Sequence, residues 1–151
     1  MSDIEDFSSK FLNEFTVINI LGEGGFGSVF EARNQLDDQS YALKRVPFHG
    51  GDTAKYDKAL REVRAMSQLD HPNIVRYNSA WVERPPENWQ LAADELILNG
   101  IQWRGSELMP YPRNAAFLYI QMQVCVILYH SSLFNLRVVG SPIIGYIMQL
   151  F

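Results

Sequence analysis

The chain reads as an α+β domain: an antiparallel sheet carrying one main helix. Residues 15–21, 28–33 and 41–48 are rich in β-branched and aromatic side chains and are separated by short polar or glycine-rich turns, the mark of a strand meander. Leu60, Val63, Met66 or Ser67, and Leu69 then recur at near-helical spacing. A length of 151 residues, 47% hydrophobic and 13% aromatic, supplies the core of one domain of ordinary size.

Residues 1–10 are polar and acidic, with no apolar leader, so a cytosolic start is expected. The first strand is Phe-Thr-Val-Ile-Asn-Ile-Leu at 15–21, and a glycine-rich turn leads into the second at about 28–33. Residues 34–40 form a polar hairpin connection, and the third strand, 41–48, is closed by Pro47 and the glycines at 50 and 51. Asp52 or Thr53 caps the helix, which is expected to reach roughly Leu69 with one face on the sheet. Pro72 stops that helix and Ile74 begins a fourth strand. Residues 84–116 hold prolines at 85, 86, 110 and 112 and no clear periodicity. They read as a long loop, with a short helical turn at 94–98.

Chemistry concentrates at the first turn, Leu-Gly-Glu-Gly-Gly-Phe-Gly-Ser-Val at 21–29. Gly22, Gly24 and Gly27 stand at Gly-x-Gly-x-x-Gly spacing, where missing Cβ atoms let backbone amides approach phosphate oxygens. A tight hairpin without a ligand would also tolerate them. In a dinucleotide-binding unit the third glycine opens a helix; here it opens a strand. Lys44 lies on the third strand and Glu62 in mid-helix. A flexible ammonium needs a fixed anion to aim it, and this spacing permits the pair. The bland alternative has Glu62 facing solvent beside Arg61 and Arg64.

These motifs together resemble the small lobe of the protein kinases. Val29 closes the glycine signature as in the kinase loop, and Tyr-Ala-Leu-Lys at 41–44 is similar to the kinase Val-Ala-Ile-Lys. His-Pro-Asn-Ile-Val at 71–75 resembles the join between kinase helix C and strand four. Ala-Trp-Val-Glu at 80–83 and Pro-Pro-Glu-Asn-Trp-Gln at 85–90 resemble the kinases of the translation initiation factor two alpha subunit, nearest their endoplasmic-reticulum stress (PERK-like) branch. Phe-Leu-Tyr-Ile-Gln-Met-Gln-Val-Cys at 117–125 is similar to their fifth strand and hinge.

The resemblance covers residues 11–125 and implies a kinase N-terminal lobe, a five-stranded antiparallel sheet with helix C. It implies ATP as ligand, with Leu21, Val29 and Ala42 on adenine, and Gly22, Glu23, Gly24, Gly25, Phe26 and Gly27 over the phosphates. Lys44 and Glu62 would orient those phosphates. Met122 would be the gatekeeper, the backbones of Gln123 and Cys125 would meet the adenine edge, and Met66 and Tyr77 would join the hydrophobic spine, a role compatible with plain core packing. The implied activity is serine/threonine phosphorylation of the initiation-factor alpha subunit in stress control of translation, with a kinase dimer partner possible. The alternative is a non-catalytic module that pairs with a full-length kinase.

His-Arg-Asp, Asp-Phe-Gly and Ala-Pro-Glu do not occur in the chain, so a large helical lobe is not expected within it, and magnesium ligands are expected only in that lobe. Residues 126–151 depart from the family: Arg137 is their only Asp, Glu, Lys or Arg. A membrane span there is disfavoured, because a central arginine costs about 2.5 to 3.5 kcal/mol on insertion scales and Pro142 weakens the helix. Such an apolar, uncharged tail is expected to lower solubility. The related stress kinase is anchored in the endoplasmic-reticulum membrane, but the expectation for this chain is cytoplasmic. Thirteen basic against seventeen acidic residues, net −4, argue against nucleic-acid binding by counterion release. Cys125, the single cysteine, excludes an internal disulfide and a cysteine zinc site, and His49, His71 and His130 lack metal-ligand spacing.

Overall fold

A computed structural model describes residues 7–24, 27–49, 51–71, 75–101 and 111–123. In chain order the elements are α1 (Lys10–Glu14), β1 (Phe15–Gly24), β2 (Gly27–Asn34), β3 (Ser40–His49), α2 (Thr53–Ser67), β4 (Tyr77–Glu83), α3 (Trp89–Gly100) and β5 (Ala115–Gln123). The five strands form one sheet in the order β1-β2-β3-β5-β4, every pairing antiparallel.

Alternation along the strands divides the core between two faces. Ala42, Val46 and Phe48 of β3, with Ala116, Leu118, Ile120 and Met122 of β5, point to the side covered by α2, whose Ala59 and Met66 are buried against them. Leu43 of β3 and Ala115, Phe117 and Tyr119 of β5 point to the opposite side, where Phe11 of α1 and Phe15, Ile20, Phe30 and Ala32 complete a second core. Irregularities in the β1–β2 register, between Val17 and Asn19 and between Ile20 and Gly22, keep Phe15, Val17 and Ile20 on one face despite their uneven spacing, while Leu21 packs on the other core.

Local chemistry sets the ends of the elements. Asp52 caps α2, its carboxylate accepting from the Lys55 amide at 3.1 Å. In the β2–β3 turn the Asn34 side chain accepts from the amides of Leu36 and Asp37, and Asp38 adopts φ 58°. The tie of α1 to the sheet is Glu83 at the end of β4. Its buried carboxylate accepts from Ser9 Oγ (2.8 Å), the Phe11 amide (2.8 Å) and Trp81 Nε1 (2.9 Å). The Trp81 ring stacks between Phe15 and Tyr119 at centroid distances of 6.0 and 5.2 Å. This gives the Ala-Trp-Val-Glu motif a structural task.

One expectation is corrected. Residues 84–116 are not simply a loop: α3 runs for 12 residues, well beyond the turn expected at 94–98. Its inward positions, 90, 93, 94 and 97, do have helical spacing, but Gln90 and Asp94 are polar, so no apolar periodicity announces the helix. Its start is also unmarked, since Asn88 at the N-cap makes no side-chain capping bond. The main helix ends at Ser67, close to the expected end near Leu69, with Gln68 as its C-cap. Strand four is described from Tyr77, and its expected start at Ile74 lies outside the described residues. No helix among the described residues is long and apolar enough to cross a membrane.

Candidate nucleotide site

Lys44 occupies the middle of β3, flanked by β2 and β5, and points to the α2 side of the sheet. It pairs across the ladder with Val29 on β2 and Ile120 on β5, and Ala42 pairs with Met122. Val29, Ala42 and Met122 are buried in the same face, and Leu21 packs partly buried against them. An apolar floor therefore lies beside a buried cation. Met66 and Tyr77 belong to this core too, with Tyr77 registered opposite Met122.

The Lys44 ammonium stands 4.0 Å from Glu62 Oε2, and the two side chains are 5% and 11% exposed. Glu62 therefore faces inward from α2, not toward solvent beside Arg61 and Arg64. Burial pulls the Lys44 ammonium below the usual lysine range; the Glu62 carboxylate opposes that shift and Lys58 adds to it. The pair puts a desolvated, aimed positive charge at the end of the apolar floor.

The glycine stretch is a β-hairpin in which Gly22 pairs with Val29, Glu23 with Ser28 and Gly24 with Gly27. Its tip, Gly25 and Phe26, lies outside the described residues, as does Cys125. Gly27 has φ +119°, and a Cβ there would overlap the Arg45 carbonyl. Gly22 differs: a Cβ would meet nothing within 4 Å, so the chain's own packing does not require glycine at that position. The Gln123 amide is committed to the Arg76 carbonyl at 2.9 Å. Among the described residues there is no group of three or more His, Cys, Asp or Glu that could hold a metal ion.

Behind Lys44 is a group that sequence reasoning missed. Arg45 points to the opposite face and is clamped by Asp94 of α3, with Nη1 and Nη2 donating to Oδ1 and Oδ2 at 2.7 Å each. Tyr111 donates its hydroxyl to Asp94 Oδ2 (2.6 Å) and accepts from Arg45 Nη2 (2.9 Å), and Gln90 Nε2 donates to Asp94 Oδ1 (2.8 Å). The guanidinium also lies over the Phe30 and Phe117 rings, 4.9 and 5.6 Å from their centroids. Burial is the largest influence and would favour the neutral guanidine, but the Asp94 carboxylate together with Tyr119 and Tyr111 outweighs it and holds Arg45 above its ordinary value. The available signal was strand alternation, which turns Arg45 into the sheet's far face and thereby demands an acid from elsewhere.

Residues 15–106 match the family described as protein kinase domain. Eukaryotic translation initiation factor 2-alpha kinase 3 of Bos taurus is 49% identical over 92 residues, 61% of this chain and 8% of that protein. Eukaryotic translation initiation factor 2-alpha kinase pek-1 of Caenorhabditis elegans is 46% identical over 101 residues, 67% of this chain and 9% of that protein. Translation initiation factor 2-alpha kinase 1 of Rattus norvegicus is 45% identical over 80 residues, 53% of this chain and 13% of that protein. The chain thus spans about a tenth of the length of these relatives. With the five-stranded sheet, the glycine hairpin and the lysine–glutamate pair in place, the chain belongs to the protein kinase family.

Proposed function

We propose that the chain is the nucleotide-binding small lobe of a serine/threonine kinase acting on the initiation-factor alpha subunit. The observation that carries the reading is the buried Lys44–Glu62 pair at the end of the apolar floor and beside the glycine hairpin. Adenine packs on Leu21, Val29 and Ala42 next to the Met122 gatekeeper. The hairpin from Gly22 through Glu23, Gly24, Gly25 and Phe26 to Gly27 covers the phosphates, and Lys44, aimed by Glu62, neutralises them. The open space at Gly22 leaves room for that approach. Because the Gln123 amide is already engaged, its adenine contact is through the carbonyl, with the Cys125 backbone supplying the neighbouring contact.

In the whole kinase, magnesium-ATP is the phosphoryl donor and a serine of the alpha subunit the acceptor. A pairing of two kinase lobes and a cytoplasmic site of action complete the reading. It is tested by titrating ATP into the chain and into Lys44→Ala by calorimetry. Loss of one charge-assisted contact of about 1.5 to 3 kcal/mol predicts roughly 10- to 100-fold weaker binding in the variant. Equal affinity in the two proteins would remove Lys44 from the site.

A further inference from the structure

We infer that α3 and Tyr111 set the phosphate end of the nucleotide site from the far side of the sheet, with Arg45 and Asp94 as positioning residues that act through Lys44 and the glycine hairpin. Arg45 makes three connections at once. Its side chain is gripped by α3 through both Asp94 oxygens and by Tyr111. Its carbonyl fills the space where a Gly27 side chain would begin, so the third glycine of the hairpin rests directly on the Arg45 backbone. Its amide nitrogen is bonded to the Lys44 carbonyl carbon, which makes the two residues rigid neighbours within one strand.

A movement of α3 therefore cannot stay on its own face. Consecutive strand residues point to opposite sides, so a tilt of β3 that follows Asp94 swings the Lys44 ammonium relative to Glu62 on α2. That separation is 4.0 Å, long enough that a small change makes or breaks direct contact. The forked, doubly hydrogen-bonded geometry at Arg45 fixes orientation as well as distance, which a single surface ion pair would not. Tyr111 sits on the same carboxylate, and burial is the main cause that raises its hydroxyl. The Glu23 carboxylate of the hairpin raises it further, as the smallest of the causes.

This inference rests on the nucleotide reading above, and its test separates the two. The affinities of ATP and of adenosine are measured by NMR titration on the full chain and on Asp94→Asn, which keeps the side-chain shape but loses the charge. The expected result is that ATP binding weakens about 3- to 10-fold, the effect of one misplaced hydrogen bond, while adenosine binding is unchanged. A purely structural role would lower both ligands together or neither. Tyr111→Phe removes one hydroxyl and is the milder variant should Asp94→Asn fail to fold; it is expected to shift ATP in the same direction by a smaller factor. If the variants bind ATP as tightly as the unaltered chain, or lose ATP and adenosine in equal proportion, the positioning role is overturned and the nucleotide reading stands. If the unaltered chain binds neither ligand, the nucleotide reading itself falls and the inference with it.

Discussion

Replacing Gly27 with alanine is expected to damage the fold, whereas the same change at Gly22 is not. At φ +119° an L side chain sits in a sparsely populated region that costs about 1 to 3 kcal/mol. The new Cβ would also overlap the Arg45 carbonyl, and that atom is backbone in the centre of the sheet, so it cannot rotate away. Relief requires β2 and β3 to separate or the glycine hairpin to lift. Strain and displacement together are expected to cost about 3 kcal/mol, a large part of the roughly 5 to 15 kcal/mol that holds a typical domain together. For a lobe of this size the midpoint of thermal unfolding should fall by about 10 °C or more. Gly22→Ala meets nothing within 4 Å and should leave the midpoint nearly unmoved while weakening ATP binding. Circular dichroism melts of the two variants at matched concentration provide the check. Equal midpoints for Gly27→Ala and Gly22→Ala would show that the close contact with Arg45 is not a constraint on the fold.

Glu62→Gln should make ATP binding fail at lower pH on the alkaline side: Glu62 favours charged Lys44, so its removal pulls the ammonium further down and the charge is lost earlier as pH rises. A binding profile that overlays that of the unaltered chain from neutral to alkaline pH would refute this. Glu83→Ala strips the acceptor from Ser9, the Phe11 amide and Trp81 and is expected to cost about 2 to 4 kcal/mol. Amide exchange in α1 should accelerate more than in α2, and uniform exchange would count against a local tie. Leu118→Ala, in the α2-side core, should cost about 2 to 5 kcal/mol. The same change at Leu36, 89% exposed in the β2–β3 turn, should fall within about 0.5 kcal/mol in urea unfolding, and similar costs at both sites would contradict the packing described.

The parts legible in the sequence are those whose signals are local. Strands β1 to β3, the Asp52 cap and the amphipathic α2 follow from periodicity, turn chemistry and capping within a few residues, and each appears within two or three residues of its expected bounds. The Lys44–Glu62 pair was reachable because both residues sit in motifs with a fixed relation to the sheet. The Arg45–Asp94–Tyr111 cluster was not, because its members are far apart in sequence and its helix buries Gln90 and Asp94 where an apolar pattern would have revealed it. Glu83 was visible only as part of a family mark. Its bonds to Ser9 and Phe11 depend on a chain reversal that no local pattern encodes.

The position of β5 has a consequence for how the lobe is made. It is the last strand in the described chain, yet it lies between β3 and β4 and completes both cores. During synthesis, β1, β2 and β3 can pair as soon as they emerge, since each follows its neighbour directly. The outer edge of β3 must then wait with open backbone donors and acceptors while α2, β4 and all of residues 84–114 are added. Neither core is filled until Phe117, Leu118, Tyr119 and Ile120 arrive. Closing this distant pairing is slow relative to local contacts, and an unpaired edge is a template for other chains. A nascent lobe stalled before Ala115 is therefore the species that most needs a chaperone, and folding should become cooperative only when β5 clears the ribosome.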